Sequence, residues 1–289
     1  VGDGITISSN LIDGADGRQH SLHTIVGVEE NRIYLDTQPR MSHWVDGKAI
    51  VTSMHSLVEM RSVKGVAIRD IHIRGNKAEN DWLDGNYGGA IFMRDSEDIL
   101  IDKVSVTNFN GDAMSWQTCH DVTVEHCAIN NVATLGLHPG TGSQRPVMRH
   151  NEIHHCKDGI YFCWGVNDGL AESNQISNCE GNGISLGHRD TENIVRHNQV
   201  IDCLQAGIYF RPERCAEKTA HRNLIESNNI RCPVEAPDAC GISVVRGVED
   251  VVLRNNRIEI AEEHREKAIV IDETAVRTVM ENNEIIGLT

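Results

Sequence analysis

The sequence predicts an all-β chain, a right-handed parallel β-helix of about nine coils, and three observations predict it. A short strand of the form small-Ile-x-apolar recurs along most of the chain. Its first six copies lie 23, 23, 23, 24 and 24 residues apart. Between copies stands a second motif, in which two alternating apolar positions and two polar residues precede Asn-x-Ile. Units this short cannot bury a hydrophobic face alone and must stack on identical neighbours.

The strand copies run in order as Ala90-Ile91-Phe92-Met93, Ala113-Met114-Ser115-Trp116, Gly136-Leu137-His138-Pro139 and Gly159-Ile160-Tyr161-Phe162. They continue as Gly183-Ile184-Ser185-Leu186, Gly207-Ile208-Tyr209-Phe210, Gly241-Ile242-Ser243-Val244 and Ala268-Ile269-Val270-Ile271. The last two steps lengthen to 34 and 27 residues, which places inserted loops there. Examples of the second motif are Val147–Ile153 and Ile194–Val200. Period-2 alternation over a few residues between tight turns means short strands with one buried face. Residues 62–289 are therefore expected to form the solenoid. Residues 1–61 are expected to form an N-terminal β element or insertion, with strands at Ile5–Ile7 and Arg32–Leu35.

Aligning coils by the second motif produces three columns. Asn151, Asn174, Asn198, Asn228, Asn256 and Asn283 fall in one, where stacked amides can satisfy each other and the turn backbone. Ile71, Val104 and Cys127 occupy it in earlier coils. A second column reads Asp102, Glu125, Arg149, Glu172, Arg196, Glu226, Arg254, Glu281, with alternating sign from Glu125 onward. Coils stack about 4.8 Å apart, so an exposed structural ion-pair row is expected. A third column holds Cys156, Cys179 and Cys203, expected as a buried thiol stack. The nine cysteines are odd in number and include no CxxC pair of the zinc-site kind.

A formal charge of −15 argues against a nucleic-acid surface. No apolar run approaches the roughly 20 residues of a membrane helix. Val1 is not a methionine, so processing upstream is expected. Neither end carries an amphipathic capping helix, so either a further segment or another subunit, in a homo-oligomer, is expected to cover a solenoid end.

Over residues 62–289 these repeats resemble the pectin-lyase-like superfamily of right-handed parallel β-helices. The resemblance implies that fold. For function it implies only a range: lyases, hydrolases, uronan epimerases, fructan transferases and phage tailspikes. Asn110-Gly111-Asp112-Ala113 resembles the pre-strand acid of polygalacturonase-like hydrolases, but the doubled Asp is absent. Gly181-Asn182-Gly183 has Asn where that family has His, and no RIK triad follows. Residues 135–198 look like the coils of alginate C5-epimerases, with Gly136-Leu137-His138-Pro139 nearest the DPHD motif, although Asp and His do not match position for position.

Alternation also says which side chains leave the small-Ile-x-apolar strand outward. One outward column is Phe92, Ser115, His138, Tyr161, Ser185, Tyr209, Ser243. The next is Arg94, Gln117, Gly140, Cys163, Gly187, Arg211, Val245, with Asp95, Thr118, Thr141, Trp164, His188 and Pro212 just beyond. Aromatic faces stack on sugar rings, and Arg and His bind carboxylates or hydroxyls. The expectation is a polysaccharide-active enzyme working on a uronate-containing glycan by β-elimination or C5 epimerisation. Arg211 or Arg94 would neutralise the carboxylate, His138 would be the base, and Tyr161 or Tyr209 the acid. Gln117, Trp164, His188, Tyr209 and Arg94 would bind substrate.

Two alternatives stand beside it. Asp112 and Asp158 each precede a strand, two coils or about 9.6 Å apart. That is near the upper end of the roughly 6.5–9.5 Å of an inverting hydrolase, so a glycoside hydrolase or glycosyl transferase fits as well. A non-catalytic, tailspike-like glycan-binding module would use the same face. His126, His150 and His197 share a column without flanking carboxylates that complete a site, so no metal is expected. Asp95, Asp112 and Asp158 spread over four coils give calcium no gathered donor set, so no cofactor is expected. A polymer substrate implies a secreted or periplasmic protein.

Overall fold

The computed structural model describes residues 1–10, 18–39, 41–52, 55–80 and 82–288. It is a parallel β-helix whose three sheets each contain nine strands, one from every coil. The front sheet runs from Val58–Arg61 through Ile91–Arg94, Met114–Gln117, Leu135–Gly140, Asp158–Tyr161, Asn182–Leu186, Ala206–Phe210 and Cys240–Val244 to Ile269–Ile271. The middle sheet runs from Lys64–Arg69 to Val279–Glu281, and the rear sheet from His72–Arg74 to Glu284–Leu288.

Each sheet directs one apolar column inward. Ile91, Met114, Leu137, Ile160, Ile184, Ile208 and Ile242 line the front. Ile101, Val124, Met148, Ala171, Val195, Ile225 and Leu253 line the middle, and all are fully buried. Burying one large aliphatic side chain contributes roughly 1.5–3 kcal/mol, so repetition alone supplies the core.

The corner between middle and rear sheets turns through a non-glycine residue in left-handed conformation. Lys103, His126, His150, Ser173 and His197 have φ of 55°, 53°, 55°, 54° and 56°. Such φ values are unfavourable for ordinary residues, and from His150 onward the asparagine that follows compensates. Asn198 Oδ1 accepts from both the backbone N–H and the Nδ2 of Asn174, each at 2.9 Å. Its Nδ2 donates to the Ala171 carbonyl (2.9 Å) and to Asn228 Oδ1 (3.0 Å). The same bonds recur from Asn151 to Asn283. A second, shorter ladder at Asn193 and Asn223 does the same work before the middle strands.

The charge column is in register throughout. Within it Arg149, Arg196 and Arg254 each bond the glutamate of the preceding coil at 2.6–2.7 Å. All nine cysteines are free. Cys156, Cys179 and Cys203 are buried. Its hydrogen bond with Cys203, and then burial, hold the Cys179 thiol well above its ordinary pKa.

Ahead of the solenoid, Gly4–Asn10, Arg18–Glu29, Arg32–Leu35 and Ile50–Thr52 form a four-stranded antiparallel sheet. It touches the first coils where the His20 ring meets Trp82 and Tyr87 at 5.9 and 5.8 Å. At the other end the final coil is open, with Met280 57% exposed although its column is sealed in every earlier coil from Ile101 onward. No helix among the described residues is long and apolar enough to cross a membrane.

Candidate functional site

The front sheet aligns Phe92, Ser115 and His138 in one outward column, and the register continues through Tyr161, Ser185, Tyr209 and Ser243. The face is not open along its whole length. Residues 82–89 fold across its N-terminal half, and Phe92, Ser115, Gln117 and His138 are buried. Ser115 Oγ donates to the Gly85 carbonyl at 2.5 Å. A Cβ on Gly85 would lie 1.7 Å from Asp112 Oδ2, so only glycine fits there. Alternation fixed the direction of these side chains but carries no information about a loop laid over them.

His138 Nδ1 donates to Asp112 Oδ2 at 2.7 Å. Asp112 is held from the other side, its Oδ1 accepting from the Leu135 N–H (3.0 Å) and the Thr134 hydroxyl. Burial pulls the His138 imidazole down, but the Asp112 hydrogen bond, with Cys163 adding to it, lifts the group to about 10. His138 is thus an imidazolium at neutral pH. Its Nε2 is buried without a hydrogen-bond partner.

Tyr161 packs edge-on against His138, with ring centroids 5.6 Å apart. Its other face carries the Arg211 guanidinium, 3.9 Å from the centroid, a geometry that favours the cation. Burial pushes the Tyr161 hydroxyl up to about 12, with Arg211 pulling against it. Arg211 is fixed by Ser185 Oγ (2.6 Å), the Phe162 carbonyl and Asp190 Oδ2 (3.2 Å).

Asp190 was not singled out in the sequence. It is fully buried and accepts from the N–H groups of Gly165, Val166 and Gly187 at 2.8–3.0 Å. Burial raises its carboxyl to about 6, against the pull of Arg211 and those N–H groups. Glu213, in an inserted loop, was also missed. It accepts from the His188 N–H at 2.9 Å and pairs with the His188 ring.

Trp164 is half exposed and stacks on His188 at 4.9 Å. Beside it opens a cavity of about 540 Å³ lined by Tyr87, Arg94, Gln117, Thr118, Thr141 and Trp164, among others. Tyr209 is half-buried, and burial raises its hydroxyl.

Asp158 sits apart from the His138 pair. Its Oδ1 accepts from the Asn182 N–H at 2.7 Å, and burial raises its carboxyl. Both Asp112 and Asp158 thus act on the backbone of the following coil, as turn aspartates do. Among the described residues, possible ligand atoms of Asp102, Glu125 and His126 lie within 4.8 Å of one another, on the middle-sheet corner. Lys103 and Arg149 already pair with those carboxylates.

A family model described as right handed beta helix region matches residues 2–140 and 89–258. The chain belongs to this family. As a right-handed β-helix it is similar to several solved structures. One is the tailspike protein of E. coli bacteriophage HK620, a double mutant in complex with a pentasaccharide. It is 14% identical over 78% of this chain and 42% of that one, with a TM-score of 0.50. Another is a mutant of the periplasmic alginate epimerase AlgG, 12% identical over 68% of this chain and 61% of that one, with a TM-score of 0.46. A third is the Streptococcus pneumoniae surface protein and adhesin PfbA, 10% identical over 69% and 67%, with a TM-score of 0.49. This β-helix therefore spans about three fifths of the epimerase chain and under half of the tailspike. No curated protein matches it. At such identities the likeness is one of fold.

Proposed function

We propose that this β-helix binds an extended, carboxylate-bearing polysaccharide across its front sheet and acts on it by β-elimination or C5 epimerisation. One observation carries the reading: Arg211, Tyr161 and His138, drawn from a span of four coils, meet at 3.9 and 5.6 Å, next to a cavity edged by Arg94 and Trp164. A proton beside a carboxylate becomes removable when the carboxylate charge is neutralised. Arg211 and Arg94 supply that charge, and the exposed Trp164 ring offers a stacking platform for a sugar. Gln117 in the cavity wall, His188 stacked on Trp164 and Tyr209 in the same outward column would supply hydrogen-bonding groups.

The electrostatics exchange two roles relative to the sequence expectation. His138 holds its proton against Asp112, so it serves as donor to the leaving oxygen. Tyr161, more accessible and facing Arg211, serves as the acceptor of the C5 proton. Such an enzyme works best at alkaline pH, limited above by loss of the His138 proton. A polymeric substrate of this kind places the chain in the periplasm or outside the cell. The tailspike's pentasaccharide agrees with a glycan on this fold, but the argument rests on the residues.

The test is a panel of acidic and neutral polysaccharides, followed by ultraviolet absorbance of unsaturated uronate, by reducing ends and by proton NMR for C5 inversion. Absorbance and reducing ends rising together, and falling in Arg211→Ala, establish elimination. Inversion without cleavage establishes epimerisation. Reducing ends without absorbance overturn both and move the chemistry to Asp112 and Asp158. Binding without turnover leaves a glycan-binding module, and no binding at all sinks the proposal.

A further inference from the structure

The second outward column of the front sheet sets one cysteine between two glycines: Gln117, Gly140, Cys163, Gly187, Arg211. Gln117 is in register with Gly140. A Cβ on Gly140 would fall 2.4 Å from Gln117 Nε2, so the carboxamide lies flat over that glycine, on the Cys163 side of its own coil. From the opposite direction Arg211 leans back over Gly187, where a Cβ would fall 2.9 Å from Arg211 Nε. Its guanidinium bonds the carbonyl of Phe162, the residue before Cys163. The Leu137–Ile160 register carries on to Gly140 and Cys163, and Cys163 N–H donates to the Pro139 carbonyl at 3.0 Å.

An amide and a cation thus lie over the glycines on either side of Cys163 in its column. His138 completes the surroundings. Asp112 occupies Nδ1, which leaves Nε2 as the nitrogen free for chemistry, buried and without a hydrogen-bond partner. Cys163 is the other group acting on that imidazole. Thr141 and Trp164, which adjoin Gly140 and Cys163 in the chain, line the 540 Å³ cavity with Gln117. Cys156, Cys179 and Cys203 are corner residues of the core, whereas Cys163 leaves the sheet outward. A thiol next to an imidazole that a carboxylate orients is the arrangement of a cysteine nucleophile with its proton-transfer partner.

We propose that Asp112, His138 and Cys163 form a nucleophilic relay that removes acyl groups from an ester-bearing glycan, with the Gln117 carboxamide donating to the oxyanion. The glycan rests on the preceding proposal; the thiol chemistry does not. The Cys163 thiolate forms a bond to the ester carbonyl carbon, and the tetrahedral oxyanion is held by Gln117. Collapse breaks the bond from carbonyl carbon to sugar oxygen, and His138 Nε2–H gives that oxygen its proton. Water then attacks the thioester while Nε2 takes a proton from it, and collapse releases the carboxylic acid and restores the thiolate beside the protonated imidazole. Asp112 orients the ring and stabilises its charge, the third part of such relays.

The test uses the full chain carrying Cys215→Ser, which removes the exposed thiol. p-Nitrophenyl acetate is followed for a nitrophenolate burst, and peptide mass spectrometry locates the acetyl group. The expected result is a burst with the acetyl on Cys163, absent in Cys163→Ala and slowed roughly 100-fold in Asp112→Asn. Asp112→Asn keeps the acceptor for the Leu135 N–H, so the fold is retained, and circular dichroism checks it. No acetyl at Cys163, or acetylation equally fast in Asp112→Asn, overturns the relay. Acylation of Cys163 with no acetate released from O-acetylated pectin upholds the relay and overturns the glycan ester as its substrate.

Discussion

Replacing Asn198 by alanine should be among the most destabilising single changes in the solenoid. Its side chain makes four hydrogen bonds of 2.9–3.0 Å, two accepted and two donated, all in the fully buried corner. Truncation leaves the Asn174 N–H and one Asn174 amide proton without partners and takes from the Ala171 carbonyl its side-chain bond. Asn228 Oδ1 keeps only its bond from the backbone of position 198. Orphaned buried groups cost about 1–3 kcal/mol each, so the loss should be roughly 2–6 kcal/mol. Asn283→Ala is the internal control. It loses two accepted bonds and one donated bond at the part-buried end of the ladder, where water can replace them, and about 1 kcal/mol is expected. Urea unfolding followed by circular dichroism gives both values from midpoint shifts at constant slope. If Asn198→Ala costs under about 1 kcal/mol, or no more than Asn283→Ala, the ladder is not what holds the corner.

Arg196→Ala breaks a half-exposed pair with Glu172 and should change stability by under about 1 kcal/mol, a shift that shrinks further in high salt. Ellman's reagent on the native chain should find Cys215 fast, whereas Cys156, Cys179 and Cys203 should react only on unfolding; rapid modification of Cys179 would show the core to be open. The Asp112–His138 pair raises the histidine pKa, so its stabilisation is complete below the ordinary value near ~6.5 and is lost as pH rises through about 10. The gap in melting temperature between wild type and Asp112→Asn should therefore narrow as pH climbs from neutral to that value, and a constant gap would contradict the pairing. Gly85→Ala pushes a methyl group into the Asp112 carboxylate and should cost about 1–3 kcal/mol while shifting the His138 NMR resonance; an unmoved resonance would mean the loop does not bear on the pair.

The solenoid was legible in the sequence because its determinants repeat. The Asn151–Asn283 column, the alternating charges from Glu125 to Glu281 and the inward Ile91–Ile242 positions each state the same geometry several times over. The contacts that shape the candidate site occur once. Residues 82–89 cover Ser115 and His138 because Leu83 buries itself and Gly85 nests on Asp112, and neither event leaves a periodic trace. Asp190 reads as an ordinary turn aspartate until Arg211 is seen leaning over Gly187 to reach it. Glu213 lies in the 34-residue step, where alignment by coil stops. His138, Tyr161 and Arg211 could be placed on one face by counting, but the Asp112 partner that fixes the protonation of His138 needed the packed structure.

The alternating row on the middle sheet constrains how such a chain can lengthen or shorten. Each coil in this region carries the sign opposite to its neighbours, so excising a single coil, such as the one holding Arg196, would bring Glu172 directly beneath Glu226. Like charges facing across one strand spacing are unfavourable. Removing two consecutive coils, or duplicating two, restores the sequence of signs and leaves the asparagine column unbroken. Changes in length that proceed by whole coils are thus cheapest in even numbers, and the row acts as a parity check on duplication and deletion.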